Sequence, residues 1–276
     1  MTNNRAVTEA GIIEYSDTGK GMPLLFIHGG HSNSKETLFH KGFDKDTFRL
    51  ITPSRPGYGK TPLTENGSAG KTAVLFISLL DKLHLEKVIV IGISAGGLTA
   101  IEITANYPER VSKLILISAV TKKWLTNKDN TYKKGKILFN PALEKYTWWL
   151  YRSFFKVYPK MAASLLAKEL SKKVFPLEKP EIEELYNMVD KQRSKRGFVN
   201  DLNQDIPQGI INKITSPTLI LHSLNDNAVC IEHAKFAANN ILRSLLKTYN
   251  NNWGHLLWLG QEGKEPIADT LYFINN

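Results

Sequence analysis

The stretch Val88-Ile89-Val90-Ile91-Gly92-Ile93-Ser94-Ala95-Gly96-Gly97 decides the fold of this chain. Its first six residues form a continuous apolar run, the mark of a strand covered on both faces. The residues after it, 95–106, read as a helix. Between them the pattern Gly-x-Ser-x-Gly makes a tight strand-to-helix turn that strains the serine and presents its hydroxyl at the sheet edge. Composition alone would give this pattern in about one chain in ten of this length. The strand before and the helix after are what give it weight. The neighbouring Gly67-Ser68-Ala69-Gly70 has neither the spacing nor the strand.

Working outward, further apolar runs bounded by turn residues stand at 23–28, 48–52, 111–118, 217–222 and 245–249. Residues 11–19 alternate instead, which predicts an exposed edge strand. Helical patterns at 70–83, 95–106, 232–241 and 265–274 separate the strands. This alternation predicts an α/β fold with a mostly parallel sheet and helices on both faces.

Residues 121–205 break the pattern with helical sequence and no convincing strand. They also carry the charge. The whole chain of 276 residues has a net charge of +10, and residues 121–173 alone hold 13 Lys and Arg against 3 Asp and Glu. The expected organisation is a core of 1–120 and 206–276 with an all-helical cap, 121–205, over the C-terminal strand edge where such sheets bind ligands. No nucleic-acid recognition motif accompanies the basic stretch, so nucleic acid is not an expected partner. Contact of the basic cap with anionic surfaces is a weaker expectation, because many charge runs are simply solvated. The single cysteine, Cys230, excludes disulfides within the chain and Cys-based metal clusters. The polar, acid-containing start and the lack of a long apolar run predict a cytoplasmic location.

A serine hydroxyl needs a base, and the base needs an orienting acid. His255, in Asn252-Trp253-Gly254-His255, directly follows the last strand pattern and should fall at the same sheet edge. A carboxylate should follow an earlier strand there. Ser118-Ala119-Val120-Thr121 offers none, and Ser223-Leu224-Asn225-Asp226-Asn227 offers Asp226. The predicted catalytic set is Ser94, Asp226 and His255. Phe26-Ile27-His28-Gly29-Gly30-His31 runs a strand into two glycines at that edge. The backbone N–H groups of Gly30 and Ala95 are the expected oxyanion hole, and His28 is read as a structural residue holding the loop.

These residues resemble the α/β-hydrolase superfamily in its serine-hydrolase branch. The resemblance rests on HGG at 28–30, SRPGYG at 54–59, GISAGG at 92–97, NYPERVSKLILIS at 106–118, LNDNAV at 224–229 and WGHLLWL at 253–259. Family members often carry Asp and Ser where Ser54 and Thr61 stand here. Serine in place of aspartate at position 94 argues against haloalkane dehalogenase and epoxide hydrolase chemistry. Two glycines in the oxyanion segment, not three, argue against bulky tertiary-alcohol esters.

The implied activity is hydrolysis of a carboxylic ester of a small or medium apolar acyl substrate, with no metal and no cofactor. Lactonase, thioesterase or proline-iminopeptidase-like activity stands beside it, as does a slow-turnover ligand receptor. The aminopeptidase reading would need cap carboxylates such as Glu181, Glu183 and Glu184. In the cap, Asn140 and Pro141 predict a helix over 141–158, stopped by Pro159. Leu143, Tyr146, Leu150, Phe154 and Val157 form one apolar stripe on it, read as the seat of the helix. Trp148, Tyr151, Phe155 and Tyr158 form a second, which is expected either to pack on another cap helix or to line an acyl pocket. Lys145, Arg152 and Lys156 should face water.

Overall fold

The computed structural model describes residues 3–276. Eight strands make one sheet: β1 (Asn3–Thr8), β2 (Gly11–Thr18), β3 (Met22–Ile27), β4 (Phe48–Pro53), β5 (Val88–Ile93), β6 (Val111–Ile117), β7 (Thr218–Ser223) and β8 (Ser244–Tyr249). Their spatial order is β1-β2-β4-β3-β5-β6-β7-β8. From β4 to β8 every neighbouring pair is parallel, while β2 runs antiparallel to both β1 and β4. After β3 the chain steps to one side for β4 and then to the other side for β5. The strand order therefore reverses between β3 and β5, and in such sheets the C-terminal strand ends at this point are where ligands bind.

The residues 11–19 are not an edge. β2 is flanked on both sides, and the edge is β1, whose sequence NNRAVT carries too little apolar signal to announce a strand.

Successive strand residues face opposite sides of the sheet. Leu25, Ile27, Val90 and Leu116 pack under α1 (Ala69–Lys82), α2 (Gly97–Asn106) and α8 (Glu232–Asn240). Phe26, Ile91, Ile93 and Ile117 belong to the cluster on the other side, with α9 (Lys264–Asn275). Between β6 and β7 lie α3 (Asn130–Leu138), α4 (Glu144–Val157), α5 (Pro159–Leu170), α6 (Lys179–Lys191) and α7 (Gly197–Asp201). Their buried side chains, Trp148, Phe155, Leu185 and Val189 among them, are continuous with that second cluster. The cap is thus an extension of one face of the sheet.

Helix α4 starts three residues later than its sequence suggests. The Asn140 side chain accepts from Ala142 N at 3.0 Å, and its carbonyl accepts from Leu143 N and Glu144 N, so 141–143 form a turn ahead of the helix. At the other end Tyr158 leaves helical geometry (φ −128°, ψ 64°), and Pro159 opens α5.

Candidate active site

The turn after β5 places Ser94 at φ +50°, in the left-handed region where a residue with a Cβ is strained. The turn can be this tight only because Gly96 has no side chain: a Cβ there would lie 2.2 Å from the Ile27 carbonyl oxygen of β3. The strand that supplies the serine thus lies against the strand that leads into Gly29 and Gly30.

His255 follows β8, with its Nε2 2.9 Å from Ser94 Oγ and its Nδ1 2.8 Å from Asp226 Oδ2. Asp226 follows β7 and is almost fully buried. Its other oxygen accepts from Ala228 N (2.9 Å) and Val229 N (2.8 Å). Burial alone would raise this carboxyl. The charge and hydrogen bond of His255, with help from His222 and the Val229 N–H, outweigh burial and hold it below the usual aspartate value. An ionised Asp226 accepts the Nδ1–H of His255, leaving Nε2 free to take a proton from the serine.

Local sequence patterns do not mark His222. It lies within β7, yet its Nε2 sits 3.4 Å from Asp226 Oδ2 and donates to the Val229 carbonyl at 2.9 Å. An inward-facing strand residue reads as packing in a sequence, and only the fold of the following loop brings the two together.

The segment His28 to Gly30, expected to form part of an oxyanion hole, is held by a network of its own. His28 donates from Nδ1 to the Gly29 carbonyl (2.8 Å) and accepts at Nε2 from Arg55 N (2.9 Å), so both ring nitrogens are committed. Burial, reinforced by Arg55, lowers its pKa well below the ordinary histidine value. Arg55 donates from Nε to the His28 carbonyl (2.8 Å) and from Nη2 to the Gly29 carbonyl (3.1 Å). Its remaining donors meet both oxygens of Asp201 on α7 at 2.6 and 2.7 Å, and Tyr58 donates to the same carboxylate at 2.5 Å. Ser54 and Thr61, the departures noted above, both engage Glu14 of β2. Ser54 donates to the Glu14 carboxylate at 2.9 Å, and Thr61 Oγ1 accepts from Glu14 N at 3.0 Å.

Above Gly30 lies Phe198, a residue that no sequence motif marked. A Cβ on Gly30 would be 3.2 Å from its ring. Phe198 reaches this spot because Gly197 lets α7 lie flat on Tyr58, whose ring would be 2.2 Å from any Cβ at 197. Phe198 stacks on His31 at 3.9 Å, and Phe139 and Trp148 close the group at 4.3 and 5.3 Å from the same imidazole. Burial lowers the His31 pKa to about 3, so the ring is neutral. Trp148 Nε1 donates to Ser194 Oγ at 2.7 Å, and the Ser194 hydroxyl in turn donates to His31 Nδ1 at 2.7 Å.

The second stripe of α4 packs on other cap helices, one of its two expected readings, while the first stripe does not seat the helix as expected. Trp148 and Phe155 are buried and Tyr151 is half-buried, so the second stripe seats the helix. Phe155 packs on Tyr186 of α6, with ring centroids 5.4 Å apart, and Tyr151 donates to the Ala162 carbonyl of α5 at 2.9 Å. Of the four side chains proposed for an acyl pocket, Trp148 is the one beside the oxyanion segment. Tyr158 is exposed at the α4–α5 corner, its ring against Phe154. The stripe read as the seat is exposed at Leu143, Tyr146, Leu150 and Val157, with Phe154 half-buried. Lys145 and Lys156 do face water, whereas Arg152 is half-buried and donates to the Gln192 carbonyl at 3.0 Å.

The cap carboxylates are engaged in structure. Glu181 accepts from Trp253 Nε1 at 3.3 Å, Glu184 pairs with Lys41, and Glu183 lies exposed 4.0 Å from Lys179. Among the described residues there is no group of three or more His, Cys, Asp or Glu placed to hold a metal ion. No helix among them is long and apolar enough to cross a membrane.

Comparison with known proteins agrees with this fold. The chain is 39% identical over 275 residues to an uncharacterized hydrolase, YcgS, of Bacillus subtilis (strain 168), covering 97% of this chain and 96% of that one. It is 25% identical over 232 residues to a 2-hydroxy-6-oxononadienedioate/2-hydroxy-6-oxononatrienedioate hydrolase of Pseudomonas sp, covering 80% and 78%. Among solved structures, the esterase EaEST of Exiguobacterium antarcticum superposes over the full length of both chains with a TM-score of 0.75 at 21% identity. Residues 22–259 match the family described as the alpha/beta hydrolase fold. The chain therefore belongs to the alpha/beta hydrolase family.

Proposed function

We propose that this hydrolase cleaves carboxylic esters of small or medium apolar acyl groups through Ser94, His255 and Asp226. The observation that carries the reading is the unbroken pair of hydrogen bonds from Asp226 through His255 to a serine strained into the open. Ser94 Oγ attacks the acyl carbon while His255 Nε2 takes its proton. The N–H groups of Gly30 and Ala95 receive the developing oxyanion, at a typical worth of about 2.7–4 kcal/mol for each donor. His255 returns the proton to the leaving alcohol. Water then repeats the sequence on the acyl-enzyme and frees the acid.

An apolar acyl group is favoured by the rings of Phe198, Phe139 and Trp148 beside Gly30. The relative that acts on a dienedioate suggests a dianionic substrate instead. Such a substrate needs uncommitted cations, and the guanidinium that reaches the oxyanion segment, Arg55, is already paired with Asp201. Arg193, whose backbone N–H donates to the His31 carbonyl, is paired through its side chain with Glu144.

The test is a panel of p-nitrophenyl acetate, butyrate and octanoate with a lactone, a thioester, an amide and a 2-hydroxy-6-oxodienedioate. It is run beside fluorophosphonate labelling of the wild type and Ser94→Ala. Ester turnover and labelling should both vanish in Ser94→Ala while the fold persists. Labelling on another serine, or faster cleavage of the dienedioate than of any ester, would overturn the reading.

A further inference from the structure

Eighteen large hydrophobic side chains are exposed among the described residues, and eleven of them fall between Ile137 and Val174. They are concentrated on α3, α4 and α5. On α4, Tyr146, Trp149, Leu150 and Val157 are each about 60% exposed. At 100° per residue they share one face, directly opposite the buried face of Trp148, Tyr151 and Phe155. Leu138 of α3 adjoins this face, its carbonyl accepting from Thr147 Oγ1 at 2.7 Å. Helix α4 is thus apolar on both sides, and packing within the chain uses one of them.

The charge around this face is mostly of one sign. Between Asn130 and Leu170, the span of α3, α4 and α5, there are eight Lys and Arg and two acids, Glu144 and Glu169. Glu144 is buried and paired with Arg193 at 2.6 Å, so Glu169, at the end of α5, is the one exposed carboxylate in this stretch. Lys145 and Lys156 stand exposed along one flank of the apolar face, and Lys133, Lys134, Lys136 and Lys160 on the adjoining helices.

We propose that the outer face of α3, α4 and α5 docks on the surface of an anionic lipid bilayer. Exposed aromatic and aliphatic side chains enter the headgroup boundary, and the lysines around them meet lipid phosphates. A second copy of this chain is disfavoured, because two such faces would bring like charges together. The exposed apolar groups are spread over three helices with no enclosing pocket formed among them, which suits a fluid surface better than a protein partner that inserts one anchor.

The experiment is sedimentation of the full chain with vesicles of phosphatidylcholine alone and of phosphatidylcholine with about one-third phosphatidylglycerol. It does not depend on turnover, so it stands or falls apart from the ester reading. The wild type should sediment with the anionic vesicles about tenfold more than with neutral ones, and lose most of that binding in about 1 M salt. Combined Tyr146→Ser, Trp149→Ser and Leu150→Ser should abolish it, as should combined Lys133→Gln, Lys145→Gln and Lys156→Gln. Leu242→Ser, at a site 94% exposed outside the cap, should leave it intact. Fluorophosphonate labelling and circular dichroism confirm that each variant is folded.

A wild type that stays in the supernatant overturns the proposal. So does a serine triple variant that sediments like the wild type, since charge alone would then explain binding. A wild-type dimer that the serine triple variant splits, with no vesicle binding, would assign the face to a second copy.

Discussion

The strand-edge loops and the helical cap are built on opposite principles. In the loops, polar groups answer polar groups at short range: Asp226 has both oxygens occupied, His28 both nitrogens, and Arg55 meets two backbone carbonyls and a carboxylate. In the cap, rings lean on rings, and one whole face of α4 is left about 60% exposed. The difference separates two tasks. A proton relay tolerates little displacement and is fixed by saturating its hydrogen bonds. A surface that admits apolar ligands works by shape and area, and stays tolerant of change.

The contrast breaks first at Asp226. Asp226→Asn should lower ester turnover about 10⁴-fold, because an amide favours the wrong imidazole tautomer. A steady-state assay that finds near-normal turnover would remove Asp226 from the relay.

The next effect lies where the two regions join. Asp201→Ala leaves the Arg55 guanidinium buried and unpaired, which should cost about 3–5 kcal/mol in urea unfolding. Asp201→Leu with Arg55→Met should recover much of that stability yet not the turnover, since the His28 and Gly29 carbonyls lose their donors. Recovery of both would show that Arg55 does not position the oxyanion segment.

Acid should weaken the tightly built region. Burial lowers the pKa of His31 to about 3 and those of His40 and His233 to about 4. Unfolded, these rings titrate near pH 6.5, so below that pH the unfolded chain gains protons that the folded chain refuses. Stability is full above about pH 6.5 and falls toward pH 4, by up to about 1.4 kcal/mol per pH unit for each ring. Thermal melts at pH 7 and pH 5 read this directly, and equal midpoints would mean the rings are open to water.

The smallest effect belongs to the outer face of α4. Leu150→Ser should change stability by no more than about 0.5 kcal/mol, as at other surface sites. A loss of several kcal/mol in urea unfolding would mean that the face is buried, by a second copy or otherwise.

Legibility divides along the same line. The parallel strands and the turn at Ser94 could be read because continuous apolar runs and glycine spacing report backbone geometry directly. His255 and Asp226 could be placed because strand ends share one edge. The β1 strand escaped because NNRAVT is mostly polar. His222 and Phe198 escaped because their importance comes from contacts between distant segments, which no local pattern records. The stripes of α4 were seen, but periodicity says only that two apolar faces exist. Which one turns inward depends on the neighbours, here Tyr186 and His31.

Arg55 also limits how ligand can enter. It grips the 28–29 loop and α7 at once, so α7 is held fixed over that loop. Lifting α7 would strand a guanidinium in a dry interior and slacken the loop proposed to receive the oxyanion. The cheaper doorway is on the side of α3, where Phe139 and the Gly135 contact with Phe198 are apolar, whereas the start of α4 is anchored by the buried Glu144–Arg193 pair. Amide exchange gives this a clock: the gate should breathe through α3, with the Asp201 turn and the start of α4 among the last places in the cap to open.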